Sequence, residues 1–111
     1  VPGIGVEVLP SDFKGGERDI ATLIGAGPDV FAHNLETVRR LHGRIRPAFG
    51  YDRTLDVLAM AKRLRPGQVT KSNLILGMGE TPEEVPAGSP RNPSRSGFRG
   101  SPTIYPAVTL A

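Results

Sequence analysis

Val69-Thr70-Lys71-Ser72-Asn73-Leu74-Ile75-Leu76-Gly77-Met78-Gly79-Glu80-Thr81-Pro82 reads as a strand running through a glycine turn into a helix start. The strand is expected over Val69 to Leu76. Lys71 and Asn73 alternate on one face, and Leu74-Ile75-Leu76 is continuously apolar. A strand of this kind points polar groups into a barrel mouth at one end and is buried at the other. Thr81-Pro82-Glu83-Glu84 then supplies a capping threonine, a proline at the first helical position and an acid three residues on. That start predicts a helix of about ten residues or more.

Working outward, Tyr51 to Leu64 is the clearest helix. Leu55, Leu58, Ala61 and Leu64 recur at near-helical spacing, Asp52 is the expected cap, and the basic end Lys62-Arg63-Arg65 precedes Gly67. Leu35 to Leu41 is expected to form a helical turn or two, stopped before Pro47. Val30-Phe31-Ala32-His33 reads as a second strand, Glu17 to Ile24 as a short helix closed by Gly25 or Gly27, and Val6-Glu7-Val8-Leu9 as a first strand ended by Pro10-Ser11-Asp12. Strand and helix alternate, which is the grammar of parallel βαβ units and of an α/β sheet or barrel. Three strands do not close a barrel, so a piece with only these should have uncovered edges and be unstable alone.

The chain has 111 residues and no cysteine. That rules out disulfides, a cysteine nucleophile and any cysteine-held zinc or iron–sulfur site built from its own residues. Val1-Pro2-Gly3 is the kind of beginning expected for a start inside a longer protein. With no apolar run near a membrane-span length and no signal peptide in view, the expectation is a cytoplasmic protein without a membrane partner. The net charge of +3 is not spread evenly. Acids and bases balance over residues 1–85, and the excess is Arg91, Arg95 and Arg99 in residues 86–111. Charge confined to a Pro/Gly/Ser-rich end argues for no nucleic-acid site. Pro86 and Gly88 arrive within a turn of the helix start, and more prolines follow. The expected division is therefore a domain over 1–85 and a foreign, disordered or irregular tail over 86–111.

Two places could carry chemistry. Gly77-Met78-Gly79-Glu80 lets a ligand approach the backbone at a helix start, but it lacks the third glycine of a dinucleotide fingerprint. His33-Asn34-Leu35-Glu36 ends a strand, where parallel α/β folds place ligand groups. His33 and Glu36 lack a third metal ligand, because His42 lies on another segment. Arg44-Ile45-Arg46-Pro47 reads on composition as a solvated basic turn able to pair with a carboxylate or phosphate. No nucleophile elbow is present, so no residue is assigned a catalytic or metal-ligating role.

Taken together the blocks resemble the lipoyl synthase family of the radical S-adenosylmethionine superfamily. The resemblance runs through Val6-Glu7-Val8-Leu9 with Asp12-Phe13-Lys14-Gly15, through Pro28-Asp29-Val30-Phe31-Ala32-His33-Asn34-Leu35-Glu36-Thr37-Val38, and through Arg44-Ile45-Arg46-Pro47 and Tyr51 with Leu55. It ends in Thr70-Lys71-Ser72-Asn73-Leu74-Ile75-Leu76-Gly77-Met78-Gly79-Glu80-Thr81 and covers residues 1 to about 85. It implies a fragment of a partial TIM-like (β/α) barrel with about three parallel strands. The implied cofactors are S-adenosylmethionine and two 4Fe–4S clusters, one cleaving S-adenosylmethionine to a 5′-deoxyadenosyl radical and the other giving up its sulfur. The implied reaction inserts sulfur at C6 and C8 of an octanoyl group carried by a lipoyl-carrier domain or a glycine cleavage carrier protein. By the same resemblance, Asn34, Glu36 and Arg46 lie near the S-adenosylmethionine or substrate face, and Lys71, Asn73 and Glu80 near the adenosyl and methionyl groups.

Departures bound what this chain can do. The family's N-terminal cysteines and Cys-x3-Cys-x2-Cys motif lie upstream of the matching stretch, and its Arg-Ser-Ser ending has no counterpart in 86–111. Pro10-Ser11 stands where the family has an apolar residue followed by proline. The expectation is an enzyme by family whose present chain is inactive, holding no cluster by cysteine. Two alternatives stay open: a small non-enzymatic binding module using its basic tail, and a barrel fragment of another α/β enzyme.

Overall fold

The computed structural model describes residues 2–85, 103–104 and 108–110. Strands β1 (Glu7–Val8), β2 (Val30–Ala32) and β3 (Val69–Ser72) lie side by side and parallel. Their registers are Glu7 with Val30, Val8 with Phe31, Phe31 with Thr70 and Ala32 with Lys71. Helix α1 (Glu17–Gly25) connects the first two strands, and α2 (Arg39–Ile45) and α3 (Tyr51–Leu64) connect the next two. The βαβ expectation of an α/β piece with three parallel strands therefore stands.

One face of this sheet is held by apolar contact. Ile20 and Ile24 from α1, Phe31 from β2, and Val57, Leu58 and Ala61 from α3 form the buried cluster, with Val8, Leu23 and Met60 packed against it. The spacing of Ile20 and Ile24, and of Val57, Leu58 and Ala61, puts each set on one side of its helix. Alternation along the strands puts Val8, Phe31 and Thr70 on this face and Glu7, Val30, Ala32 and Lys71 on the other. β1 is one edge of the sheet, and Ile4, Val6 and Leu9 around it are exposed.

Several local expectations shift. The first strand is two residues rather than four, because Val6 is drawn into the loop at Asp29. The Val6 amide donates to the Asp29 carboxylate at 2.7 Å, and its carbonyl accepts from the Asp29 amide at 2.9 Å. Gly27, with φ +76, makes the left-handed turn after α1. The helix expected at Leu35 begins only at Arg39, since Leu35 and Glu36 are engaged by the Ser72–Ile75 segment instead. Cap and first turn of α3 also differ: Gly50 is the cap, while Asp52 lies inside the helix and meets Arg39 at 2.7 Å.

The third strand is interrupted. β3 ends at Ser72, Leu74 makes an isolated parallel bridge with Glu36, and β4 (Ile75–Leu76) follows. Two short strands fall in the segment expected to be irregular. β5 (Thr103–Ile104) pairs antiparallel with β4, and β6 (Val108–Leu110) pairs antiparallel with β3. The rest of the expected disordered tail lies outside the described residues. At Thr81 the expected helix is a single 3-10 turn, Pro82–Glu84, and its continuation also lies outside them.

Candidate functional site

The polar residues collect where β2 and β3 end, on the side that chain direction makes the C-terminal edge of the parallel sheet. Three backbone bonds carry the pairing beyond the strands. The His33 amide donates to the Lys71 carbonyl at 2.9 Å, the Glu36 amide to the Asn73 carbonyl at 3.0 Å, and the Ile75 amide to the Glu36 carbonyl at 2.6 Å. The Ser72 hydroxyl accepts the Leu35 amide at 3.0 Å. Segments 33–36 and 71–75 are thus locked together, which brings Asn34, Glu36 and Asn73 into one neighbourhood.

Glu36 has φ +66, a left-handed conformation that costs a non-glycine residue on the order of 1 kcal/mol or more. The flanking backbone bonds hold it there. Continuing the strand alternation puts Asn34 and Asn73 on the face of Glu7 and Lys71, away from the helices. The side-chain oxygens of both asparagines are buried without a hydrogen-bond partner among the described residues. An orphaned buried acceptor costs roughly 1–3 kcal/mol, so two of them at one strand edge fit a donor-bearing ligand.

The other expected residues divide by what already occupies them. The Lys71 ammonium reaches across β2 to both carboxylate oxygens of Glu7, at 3.0 and 2.9 Å. The Arg46 guanidinium donates to the Asn34 carbonyl and stacks over the Phe49 ring, 4.2 Å from its centroid. It therefore supports Asn34 from behind. Glu80 turns back on its own loop, accepting the Gly77 amide at 2.6 Å and the Met78 amide at 2.9 Å. Gly77 and Gly79, with φ +94 and +110, make that loop possible. Its carboxylate shapes the turn.

Two buried histidines flank this edge. His33, 1 % exposed, donates from Nδ1 to the Pro10 carbonyl at 3.2 Å, tying the end of β2 to the end of β1. Burial depresses its pKa, the Pro10 bond opposes that, and the Arg46 charge depresses it further. Burial and Arg46 likewise depress His42, which meets the Tyr51 ring edge-on at 5.5 Å. In both, burial favours the neutral ring. Among the described residues no three His, Cys, Asp or Glu side chains converge to hold a metal ion. A cleft of about 600 Å³ opens between the 11–14 loop and Phe49, and none of the six expected residues lines it.

Sequence reading missed Glu7, Ser72, Arg40 and Asp29. Each acts through a partner distant in the chain, 64 residues away for Glu7 and 44 for Arg40. No local pattern encodes such a pair.

Comparison with known proteins now decides the family. The model of the radical SAM superfamily matches residues 1–87. The chain belongs to the radical SAM superfamily. Within it, the chain is similar to lipoyl synthases: 61% identical to that of Nocardioides sp. over 84 residues, 76% of this chain and 26% of the relative. The lipoyl synthase of Kocuria rhizophila is 57% identical over 84 residues, 76% of this chain and 24% of its own. That of Tropheryma whipplei strain Twist is 56% identical over the same length, with 23% of the relative covered. The chain spans about a quarter of the length of these radical SAM relatives.

The donor chemistry separates the two implied cofactor types. Iron–sulfur clusters are held by thiolates, and the chain has none, so its residues do not fit a cluster. S-adenosylmethionine offers an ammonium and adenine N–H donors. The two buried asparagine oxygens fit them. No helix among the described residues is long and apolar enough to cross a membrane.

Proposed function

We propose that this chain is the section of a lipoyl synthase that receives S-adenosylmethionine, and that the whole enzyme inserts two sulfurs at C6 and C8 of a protein-bound octanoyl group. The observation that carries the reading is the pair of orphaned oxygens on Asn34 and Asn73, set at the C-terminal edge of a superfamily sheet whose sequence is 56–61% identical to lipoyl synthases. Bound S-adenosylmethionine supplies the radical chemistry of the superfamily. The chain's own residues bind and orient. Asn34 and Asn73 accept N–H groups, and Glu36, fixed in its strained conformation, places a negative charge beside them. Lys71, two residues before Asn73 and on the same face, carries a cation already paired with Glu7. Arg46 holds the Asn34 backbone so that its side chain is pre-oriented.

The clusters fall to residues outside this chain, and so the chain alone does not turn over. The partner is an octanoylated lipoyl-carrier domain or glycine cleavage carrier protein, and the compartment is the cytoplasm. The test is a chimera in which residues 1–85 replace the matching stretch of the Kocuria rhizophila lipoyl synthase, assayed for lipoyl product on an octanoylated carrier domain. The chimera is expected to form product and the isolated chain none. A folded, cluster-loaded chimera that cleaves S-adenosylmethionine but leaves the octanoyl group untouched would overturn the lipoyl assignment and favour another radical SAM substrate.

A further inference from the structure

The loop Gly77-Met78-Gly79-Glu80 and the segment Asn34–Glu36 belong to different βα units; the Ile75 amide ties the base of the loop to Glu36, and its far side needs a second hold. One side chain spans the gap. Arg40 sits in the first turn of α2, directly after the 34–38 segment. Its Nη2 donates to the Gly79 carbonyl at 2.8 Å and to Glu84 Oε1 at 2.9 Å, while Nε donates to Glu84 Oε2 at 3.1 Å. The Glu84 carboxylate also accepts the Thr81 amide at 2.8 Å. One guanidinium thus grips the loop at its second glycine and at the turn that follows, and Glu80 closes the loop from inside.

A solitary surface ion pair contributes little, and Arg40 is an exposed residue. This arrangement differs in kind. The contact is bidentate, it includes a backbone carbonyl as third acceptor, and its carboxylate is fixed by a backbone amide. The Arg40 bonds and the Thr81 amide together hold the Glu84 carboxyl down at about 2, so the contact is fully charged over the neutral range. The loop has reason to need it: Gly77 and Gly79 sit at positive φ and have wide conformational freedom when released.

We propose that Arg40 is a positioning residue for S-adenosylmethionine, holding the Gly77–Glu80 loop at a fixed distance from Asn34 and Glu36. The inference rests on the reading of this edge as the cofactor face. Arg40 does not touch the ligand itself. It fixes where the loop backbone stands, and lysine replaces it only in part, because an ammonium lacks the planar fork that meets a carboxylate in two places.

The test uses the 111-residue chain in two measurements, with far-UV circular dichroism confirming the fold of each variant. S-adenosylmethionine is titrated calorimetrically into the native chain and into R40Q, R40K and E84Q, and amide exchange at Gly77 and Met78 is followed by NMR. R40Q is expected to bind at least tenfold more weakly and to exchange both amides at least tenfold faster, with exchange in α1 and α3 unchanged. R40K recovers part of the affinity, and E84Q, which keeps the Gly79 contact, falls between native and R40Q. Native affinity in R40Q overturns the proposal. If the native chain does not bind S-adenosylmethionine, the cofactor-face reading fails, and the exchange data alone judge the brace: unchanged rates in R40Q overturn it, and faster rates at Gly77 and Met78 support it.

Discussion

The two faces of the β1-β2-β3 sheet are built on opposite principles. Against the helices, Ile20, Phe31, Val57 and Ala61 are fully buried, and apolar contact carries the stability. On the other face and at its C-terminal edge stand Glu7, Lys71, Asn34 and Asn73, with buried polar atoms left unpaired. Unpaired buried atoms also occur on His33, Thr37, His42 and Gln68, but Asn34 and Asn73 stand together at one strand edge. The difference separates the part that folds the chain from the part to which the proposed function assigns the ligand.

The largest expected effect is on the folding face. Phe31→Ala should cost about 3–5 kcal/mol by loss of buried area and a residual cavity, read as a fall in thermal midpoint. Asn73→Ala should shift the same midpoint far less, by under about 1 kcal/mol. Equal losses would erase the contrast between the faces.

A sharper version replaces the orphaned amides by an apolar group of similar size. Asn34→Leu and Asn73→Leu remove a buried unpaired oxygen, so thermal stability should stay level or rise. S-adenosylmethionine affinity should fall at least tenfold in either variant. A destabilised variant with intact binding would reverse the assignment of roles.

The histidines give a pH signature. The folded-state pKa of His33 lies below the ordinary 6.5, mainly through burial. Between those two values the unfolded chain binds more protons, so stability rises with pH. His33 thus contributes a term fully present above pH 6.5 and lost as pH falls through the folded value. Denaturant titrations from pH 7.5 down to 5 should show that decline, and His33→Asn should flatten it. The smallest effect is expected at Lys71→Met. Its ion pair with Glu7 is partly exposed, and stability should change by under about 1 kcal/mol in chemical denaturation.

Much of the fold was legible because periodicity encodes it. The helix at Tyr51–Leu64 and the strand at Val30 follow from spacing alone, and the βαβ order follows from their alternation. What spacing missed was decided by pairs far apart in the chain. The helix expected at Leu35 starts four residues later because Ser72 and Asn73 claim the backbone of 35–36 first. The strand expected to run unbroken through Asn73 stops because Glu36, its neighbour, turns left-handed. At the candidate site, strand-end position pointed to Asn34 and Glu36 and the family resemblance to Asn73, and backbone bonds bring their segments together. Sequence could not show that Glu80 would spend its carboxylate on its own loop, or that Arg40 would reach Gly79 and Glu84. Both depend on where a glycine turn folds in space.

The central claim is that the polar edge, and not the helix-covered face, receives S-adenosylmethionine. It is tested most directly by titrating the cofactor into the isotopically labelled chain and following backbone amide shifts by NMR. The account predicts saturable shifts at Asn34, Glu36, Asn73 and Gly77–Gly79, with α1 and α3 unmoved. Saturable shifts confined to the helices, or none at millimolar cofactor, would contradict it.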